Sequence, residues 1–131
     1  MGYVPGLEGV VVGETSISNV EGEIGRLSYR GRVIEDVVHL PYTEAMYLVL
    51  FGEVPGEDGL QLFEEYLYRF GRLSEDEVSL IASMPATVHP MQALQSVLSV
   101  VSLEDVRFSV RDMDASHGLQ ILAKYPSIIA A

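Results

Sequence analysis

A mainly helical chain with a short antiparallel β element at its N-terminal end is predicted by three features of the sequence. Residues 1 to about 32 are rich in Gly, Val, Ser and Thr. From residue 33 onward apolar side chains recur at helical spacing. The helical runs are short and are separated by Pro or Gly, which fits a helical array of about six short helices. With 131 residues the chain makes one domain of ordinary size, 1–32 being the β element and 33–131 the helical part.

In the β element, Val10-Val11-Val12, Thr15, Ile17 and Val20 are β-branched and favour strands. Gly22 and Gly25 bracket a turn, and Leu27-Ser28-Tyr29-Arg30 alternates until Gly31 stops it. The expectation is a hairpin with one more strand, which needs a partner to cover its apolar face.

The helical part begins with a short turn over Ile34–His39, ended by Pro41. Thr43 caps, or lies just inside, a helix through Ala45, Met46, Leu48, Val49, Leu50 and Phe51 that Gly52 stops. Asp58 is expected to cap a helix with Leu60, Phe63, Leu67 and Phe70 on one face, Glu64 and Glu65 outward, and Gly71 at its end. Ser74-Glu75-Asp76-Glu77 reads as a capping box ahead of Val78, Leu80, Ile81 and Met84, with Pro85 closing the helix. His89-Pro90-Met91 opens a helix with Pro in its first turn, running through Leu94, Val97, Leu98 and Val101. Ser102 to Ser116 is polar and weakly patterned. A last helix from about Ala115 carries Leu119, Ile121, Leu122, Ile128 and Ile129, and Pro126 should bend it or interrupt its bonding. Its apolar pattern runs to Ala131 without a glycine cap, which reads as a face needing cover from a further segment or chain.

Composition excludes several classes of chemistry. The chain has 19 acidic and 8 basic side chains and a net charge of -11, which argues against nucleic acid and anionic membranes as partners. It has no cysteine, hence no disulfide, thiolate metal site or cysteine nucleophile. No apolar run suggests a membrane span and no basic-then-apolar start suggests a secretory signal, so a cytoplasmic location is expected.

The three histidines, His39, His89 and His117, lack metal-ligand spacing. His39 is read as a helix-end residue, His89 as placing a helix start and His117 as solvated. Carboxylate runs Glu35-Asp36, Glu64-Glu65 and Glu75-Asp76-Glu77 are read as solvated faces. Arg26, Arg30 and Arg32 are expected to pair with Glu21, Glu23, Glu35 and Asp36 rather than to bind an anion. Tyr42, Tyr47, Phe51, Phe63, Tyr66 and Phe70 fall at helical spacing and read as core and rim. No catalytic set emerges from these residues.

Several longer stretches resemble the citrate synthase family, citrate and 2-methylcitrate synthases together. They are the opening Gly6-Leu7-Glu8-Gly9-Val10-Val11-Val12-Gly13-Glu14-Thr15-Ser16-Ile17-Ser18, then Gly22-Glu23-Ile24-Gly25-Arg26-Leu27-Ser28-Tyr29-Arg30-Gly31 followed by Ile34-Glu35-Asp36. The others are Thr43–Pro55, His89-Pro90-Met91 and Leu122-Ala123-Lys124-Tyr125-Pro126-Ser127-Ile128-Ile129-Ala130-Ala131. They are ordered and spread over nearly the whole chain. The resemblance implies the N-terminal portion of such an enzyme, the first part of its large helical domain. It implies a parent reaction that condenses acetyl-CoA or propionyl-CoA with oxaloacetate and needs no metal.

The family's catalytic histidines and aspartate belong to sequence beyond this stretch, so the resemblance assigns no catalytic, CoA-binding or metal residue here. This chain alone is therefore expected to be inactive. By the same resemblance His89, Met91, Leu94, Val97, Leu98, Val101, Ile121, Lys124 and Ile128 belong to a subunit interface. The expected partner is a second copy, in a dimer or higher oligomer, or a complementary C-terminal chain of the same family. The alternative is a stand-alone, non-catalytic oligomerisation or regulatory module.

Overall fold

Strand-forming residues at the N-terminal end pair as a three-stranded antiparallel sheet in the order β1 (Ser18–Glu21), β2 (Arg26–Tyr29), β3 (Arg32–Val33). The structure is a computed structural model that describes residues 6, 9–11, 13–109, 111 and 113–131. Val10 and Val11, read as strand, are irregular, and Val12 lies outside the described residues. A 3-10 turn over Gly22–Ile24 joins β1 to β2, which places Ser18 opposite Tyr29 and Glu21 opposite Arg26. Between β2 and β3 the chain reverses in two residues, Arg30 at φ 50° and Gly31 at φ 78°. Two successive positive φ values match the twist of the flanking strands, and only the glycine adopts one without steric cost.

Arg30 is held in that conformation by its own side chain. Its guanidinium donates to the carbonyls of Val49 at 2.9 Å and Leu50 at 3.1 Å, and to Ser16 Oγ at 2.8 Å. Helix carbonyls at a C-terminus lack intrahelical donors and carry partial negative charge, so a cation suits them. Arg30 therefore joins the hairpin to the end of a helix instead of pairing with a nearby carboxylate as expected, whereas Arg26 does lie 3.6 Å from Glu21. The helices of this unit are α1 (Ile34–Val37) and α2 (Tyr42–Phe51), and α2 closes at Gly52, whose N–H bonds Leu48 O at 2.8 Å. Thr43 lies inside the start of α2, after Pro41 in the cap position. Strand gives way to helix at Val33–Ile34, close to the compositional boundary, but the chain divides into two units later, after Gly56.

The second unit, residues 57–131, holds α3 (Glu57–Phe70), α4 (Glu75–Ser83), α5 (Pro90–Leu98) and α6 (Met113–Ala130). Asp58 sits in the first turn of α3, one residue inside its start, and does not cap it. Phe63, Tyr66 and Phe70 are the buried stripe of α3. Phe108, from the loop after α5, stacks edge-on to Phe63 at 5.6 Å and to Tyr66 at 5.3 Å, completing an aromatic core. Ser74 and Glu77 form the expected reciprocal capping box at the head of α4. His89 caps α5, its Nδ1 accepting from Met91 N–H at 3.2 Å, with Pro90 at the first helical position. Val101 lies beyond the end of α5, not on it. Pro126 sits inside α6 and the helix continues through it to Ala130.

α3 and α6 pack against each other, and Gly71 marks their close approach. A Cβ there would come 2.9 Å from Leu67 O and 3.0 Å from Ala123 O, both backbone atoms, while Ser127 Oγ donates to Gly71 O at 2.6 Å. Gly71→Ala is expected to destabilise by about 1–3 kcal/mol because neither backbone can yield cheaply. Gly118→Ala, at a helical position with open space around it, is expected to stabilise by about 0.5–1 kcal/mol. Thermal unfolding of the two variants beside the parent chain checks both signs.

Candidate functional site

Three polar residues of α6, spaced one helical turn apart, are buried: Ser116, Gln120 and Lys124. Side chains at i, i+4 and i+8 lie on one face of a helix, so the three form a polar stripe. Each meets a polar group that would otherwise be orphaned. Ser116 Oγ accepts from Phe108 N–H at 2.9 Å. The Gln120 amide donates to Glu104 O at 2.8 Å and to Tyr66 Oη at 3.1 Å, and it accepts from Glu104 N–H at 2.8 Å. Lys124 Nζ donates to Glu77 Oε1 at 2.6 Å and to Ser102 Oγ at 3.2 Å. The stripe thus stitches residues 102, 104 and 108 of an irregular loop onto α6.

Glu77 is the strongest electrostatic feature of the cluster. It is 4% exposed, and Lys124 is 6% exposed. Burial by itself pushes the carboxyl upward. The Lys124 ammonium, the N–H groups of Ser74 and Ser102 and the Ser102 hydroxyl outweigh that and hold it at about 2. This overturns the reading of Glu75-Asp76-Glu77 as a solvated run: Glu75 and Asp76 are exposed, but Glu77 faces inward. The capping box accounts for Ser74. It gave no sign of Lys124, which lies 47 residues further on. Charge composition held a partial signal, since Lys124 is the only lysine and sits within an apolar helical pattern.

The second feature is the face of α5. Residues 78–103 contain no Asp, Glu, Lys or Arg in a chain of net charge -11. An apolar groove of about 320 Å³ runs between α4, α5 and α6, with Met84, Met91, Leu94 and Ile129 among its lining residues. A wider one of about 440 Å³ lies on the other flank of α5, beside Leu98 and Tyr125. Met91 and Leu94 line both.

The nine residues assigned to an interface by resemblance separate on this structure. Val97, Lys124 and Ile128 are buried within the chain's own second unit. Leu94, Leu98, Val101 and Ile121 are half-buried, and His89 and Met91 are exposed. Of the histidines, His39 follows α1 in the first unit and His89 caps α5 in the second. His117 lies within α6 and is only partly solvated, less than expected. Its side chain is 29% exposed and its Nε2 is enclosed, 3.3 Å from Asp105 Oδ1 without a hydrogen bond to it. Among the described residues no three His, Asp or Glu side chains are placed to hold a metal, and no helix is long and apolar enough to cross a membrane.

Comparison with known proteins decides the family. The family model described as "Citrate synthase, C-terminal domain" matches residues 6–131. The chain belongs to the citrate synthase family. It is 38% identical to 2-methylcitrate synthase 1 of Corynebacterium glutamicum over 128 residues, covering 95% of this chain and 34% of that protein. It is 32% identical to the citrate synthase of Acidithiobacillus ferridurans, covering 98% of this chain and 35% of that protein. The crystal structure of citrate synthase from Pyrobaculum aerophilum superposes with a TM-score of 0.83 at 30% identity, over 94% of this chain and 34% of that one. The chain therefore spans about a third of the length of the citrate synthases it matches.

The Glu77 environment gives a pH prediction with a definite sign. The carboxyl is lowered from 4.5 to about 2 in the folded chain, so its contribution is fully present above about 4.5. It is lost as pH falls from there toward 2. Denaturant melts between pH 6 and pH 2.5 should show stability declining below about pH 4.5, and Glu77→Gln should flatten that decline. Lys124→Met strands the carboxylate and is expected to cost about 3–5 kcal/mol near neutral pH.

Proposed function

We propose that this chain is the N-terminal segment of a citrate synthase-type acyltransferase and that it supplies scaffold and subunit-contact helices rather than reacting groups. The name of the matching family model refers to the C-terminal domain of the family. The N-terminal placement rests instead on the order of the sequence stretches from Gly6 to Ala131. The parent reaction is condensation of acetyl-CoA or propionyl-CoA with oxaloacetate, as the names of the citrate and 2-methylcitrate synthase relatives suggest. The observation that carries the scaffold reading is where the polar chemistry sits. The buried ionisable pair, Glu77 with Lys124, is enclosed and mutually satisfied, and the two grooves beside α5 have no charged lining residue. An enclosed ion pair holds helices together, and a charge-free groove suits another apolar surface better than an anionic substrate.

The assembly surface in this reading is the face of α5, with Met91, Leu94 and Leu98 facing a second copy or a complementary chain of the family. Two copies of an acidic chain repel each other, so they meet most readily where neither carries charge. The same face favours a second reading, a non-catalytic module that assembles without a catalytic complement.

Activity separates the two readings. Release of free CoA from acetyl-CoA or propionyl-CoA with oxaloacetate is expected to be absent for this chain alone. It is expected to appear when a polypeptide covering the remaining two thirds of a citrate synthase is co-expressed. No activity under any such pairing leaves the module reading, and turnover by the chain alone overturns both. Self-association is checked by sedimentation. The parent chain should associate at micromolar concentration, and Met91→Glu, at a position 62% exposed, should shift it toward monomer without changing its helicity. A parent chain that is monomeric throughout sinks the assembly surface.

A further inference from the structure

The buried ion pair and the apolar groove involve the same helices. Glu77 and Ile81 are four residues apart on α4, and Lys124 and Ile128 are four residues apart on α6. Each charged residue therefore shares a helix face with a groove-lining residue and lies about one turn, roughly 6 Å along the axis, from it. α5 packs on both α4 and α6. Ser102, the third corner of the cluster, follows the end of α5 by four residues. Its N–H and Oγ both donate to Glu77 Oε1 at 3.0 Å.

We propose that the Glu77–Ser102–Lys124 cluster is a clasp that fixes α4, α5 and α6 at one spacing and thereby sets the width of the apolar groove. The physical reason lies in how a buried ion pair differs from an apolar contact. A buried pair adds little net stability over well-packed apolar residues of equal volume, since both charges lose their water. Its geometry, however, is narrow. Glu77 Oε1 receives the ammonium, an amide and a hydroxyl, and Oε2 receives Ser74 N–H at 2.7 Å. A slide of either helix breaks several of these bonds together. Apolar replacements tolerate such a slide, and cores repacked with them lose uniqueness before they lose stability. The clasp is thus a positioning device for the face to which the proposed function assigns assembly. The purpose given to it rests on that reading, but its mechanical action does not.

The absence of cysteine makes a direct test simple. Ser83→Cys near the end of α4 and Ala130→Cys at the end of α6 are both exposed positions that accept spin labels. Labelled chain diluted into excess unlabelled chain reports distances within one molecule only. The parent is expected to give one narrow distance distribution. Glu77→Leu with Lys124→Met should keep cooperative unfolding yet broaden that distribution about twofold. Ser102→Ala, which removes the hydroxyl bonds to Glu77 and Lys124 and keeps the N–H bond to Glu77, should broaden it less and serves where the double variant does not fold. An unchanged, narrow distribution in a folded variant overturns the clasp. Sedimentation of the same proteins reads the assembly surface separately: broadening in a chain that never self-associates keeps the clasp and removes its proposed purpose.

Discussion

A carboxylate that is 4% exposed stays ionised only if other groups replace the water it has lost, and Glu77 finds those groups on three separate pieces of chain. Ser74 comes from the head of its own helix, Ser102 from the loop after α5, and Lys124 from the middle of α6. None of the three is a near neighbour of the other two in space unless α4, α5 and α6 are already packed. The requirement to satisfy one buried charge therefore constrains how α4, α6 and the segment after α5 are arranged. Gly71 and Ser127 add a second constraint, because α3 and α6 meet backbone to backbone where a side chain as small as a methyl would intrude.

The polar stripe of α6 explains how a segment without regular structure holds a fixed path. The loop after α5 supplies Phe108 to the aromatic core beside Phe63 and Tyr66. It also carries backbone groups that burial would leave unpaired. Gln120 satisfies both the N–H and the carbonyl of Glu104, Ser116 satisfies the N–H of Phe108, and the Tyr66 hydroxyl donates to Val106 O at 2.8 Å. Each of these bonds would be worth little in water. At the buried Phe108 N–H, leaving the bond unmade costs the full desolvation of the group, and the part-buried bonds at Glu104 and Val106 extend the fixed path.

Features that depend on neighbours in sequence were legible from the residues alone. The change from strand to helix near residue 33, the capping box at Ser74, the Pro90 start of α5 and the stop at Gly52 are all local devices, and each stands where local chemistry puts it. What escaped was every contact made at long range. Arg30 was assigned a carboxylate from its own neighbourhood and instead bonds the end of α2, some twenty residues away. Glu77 looked like one more acid in an exposed run because its cation sits on a distant helix. Within the weakly patterned stretch Ser102 to Ser116, residues 102, 104 and 108 take their order from α6 side chains and not from their own periodicity, whereas 113–116 already belong to α6. The start of α3 was missed by two residues at Asp58, read as the cap but lying second in the helix, since an acidic residue suits either position. The candidate site was legible as family membership and as an apolar face, whereas the polar cluster that shapes that face was not.

Charge distribution links the cluster to the face beside it. The chain is strongly acidic, and five of its 19 acidic side chains lie in the first turns of α3 and α4, where helix dipoles favour them. The stretch from residue 78 to 103 has none, and Lys124, the one buried cation among the described residues of the second unit, is neutralised by Glu77 inside that unit. A cation left free near the grooves would attract the acidic surface of another copy in many orientations. A carboxylate left free there would repel it in all of them, by roughly 1 kcal/mol for each pair of charges 4 Å apart in water and by more as water is excluded. Enclosing both charges in one pair removes each field from the face. What is left there to recognise is shape, which is the property that the spacing of α4, α5 and α6 controls.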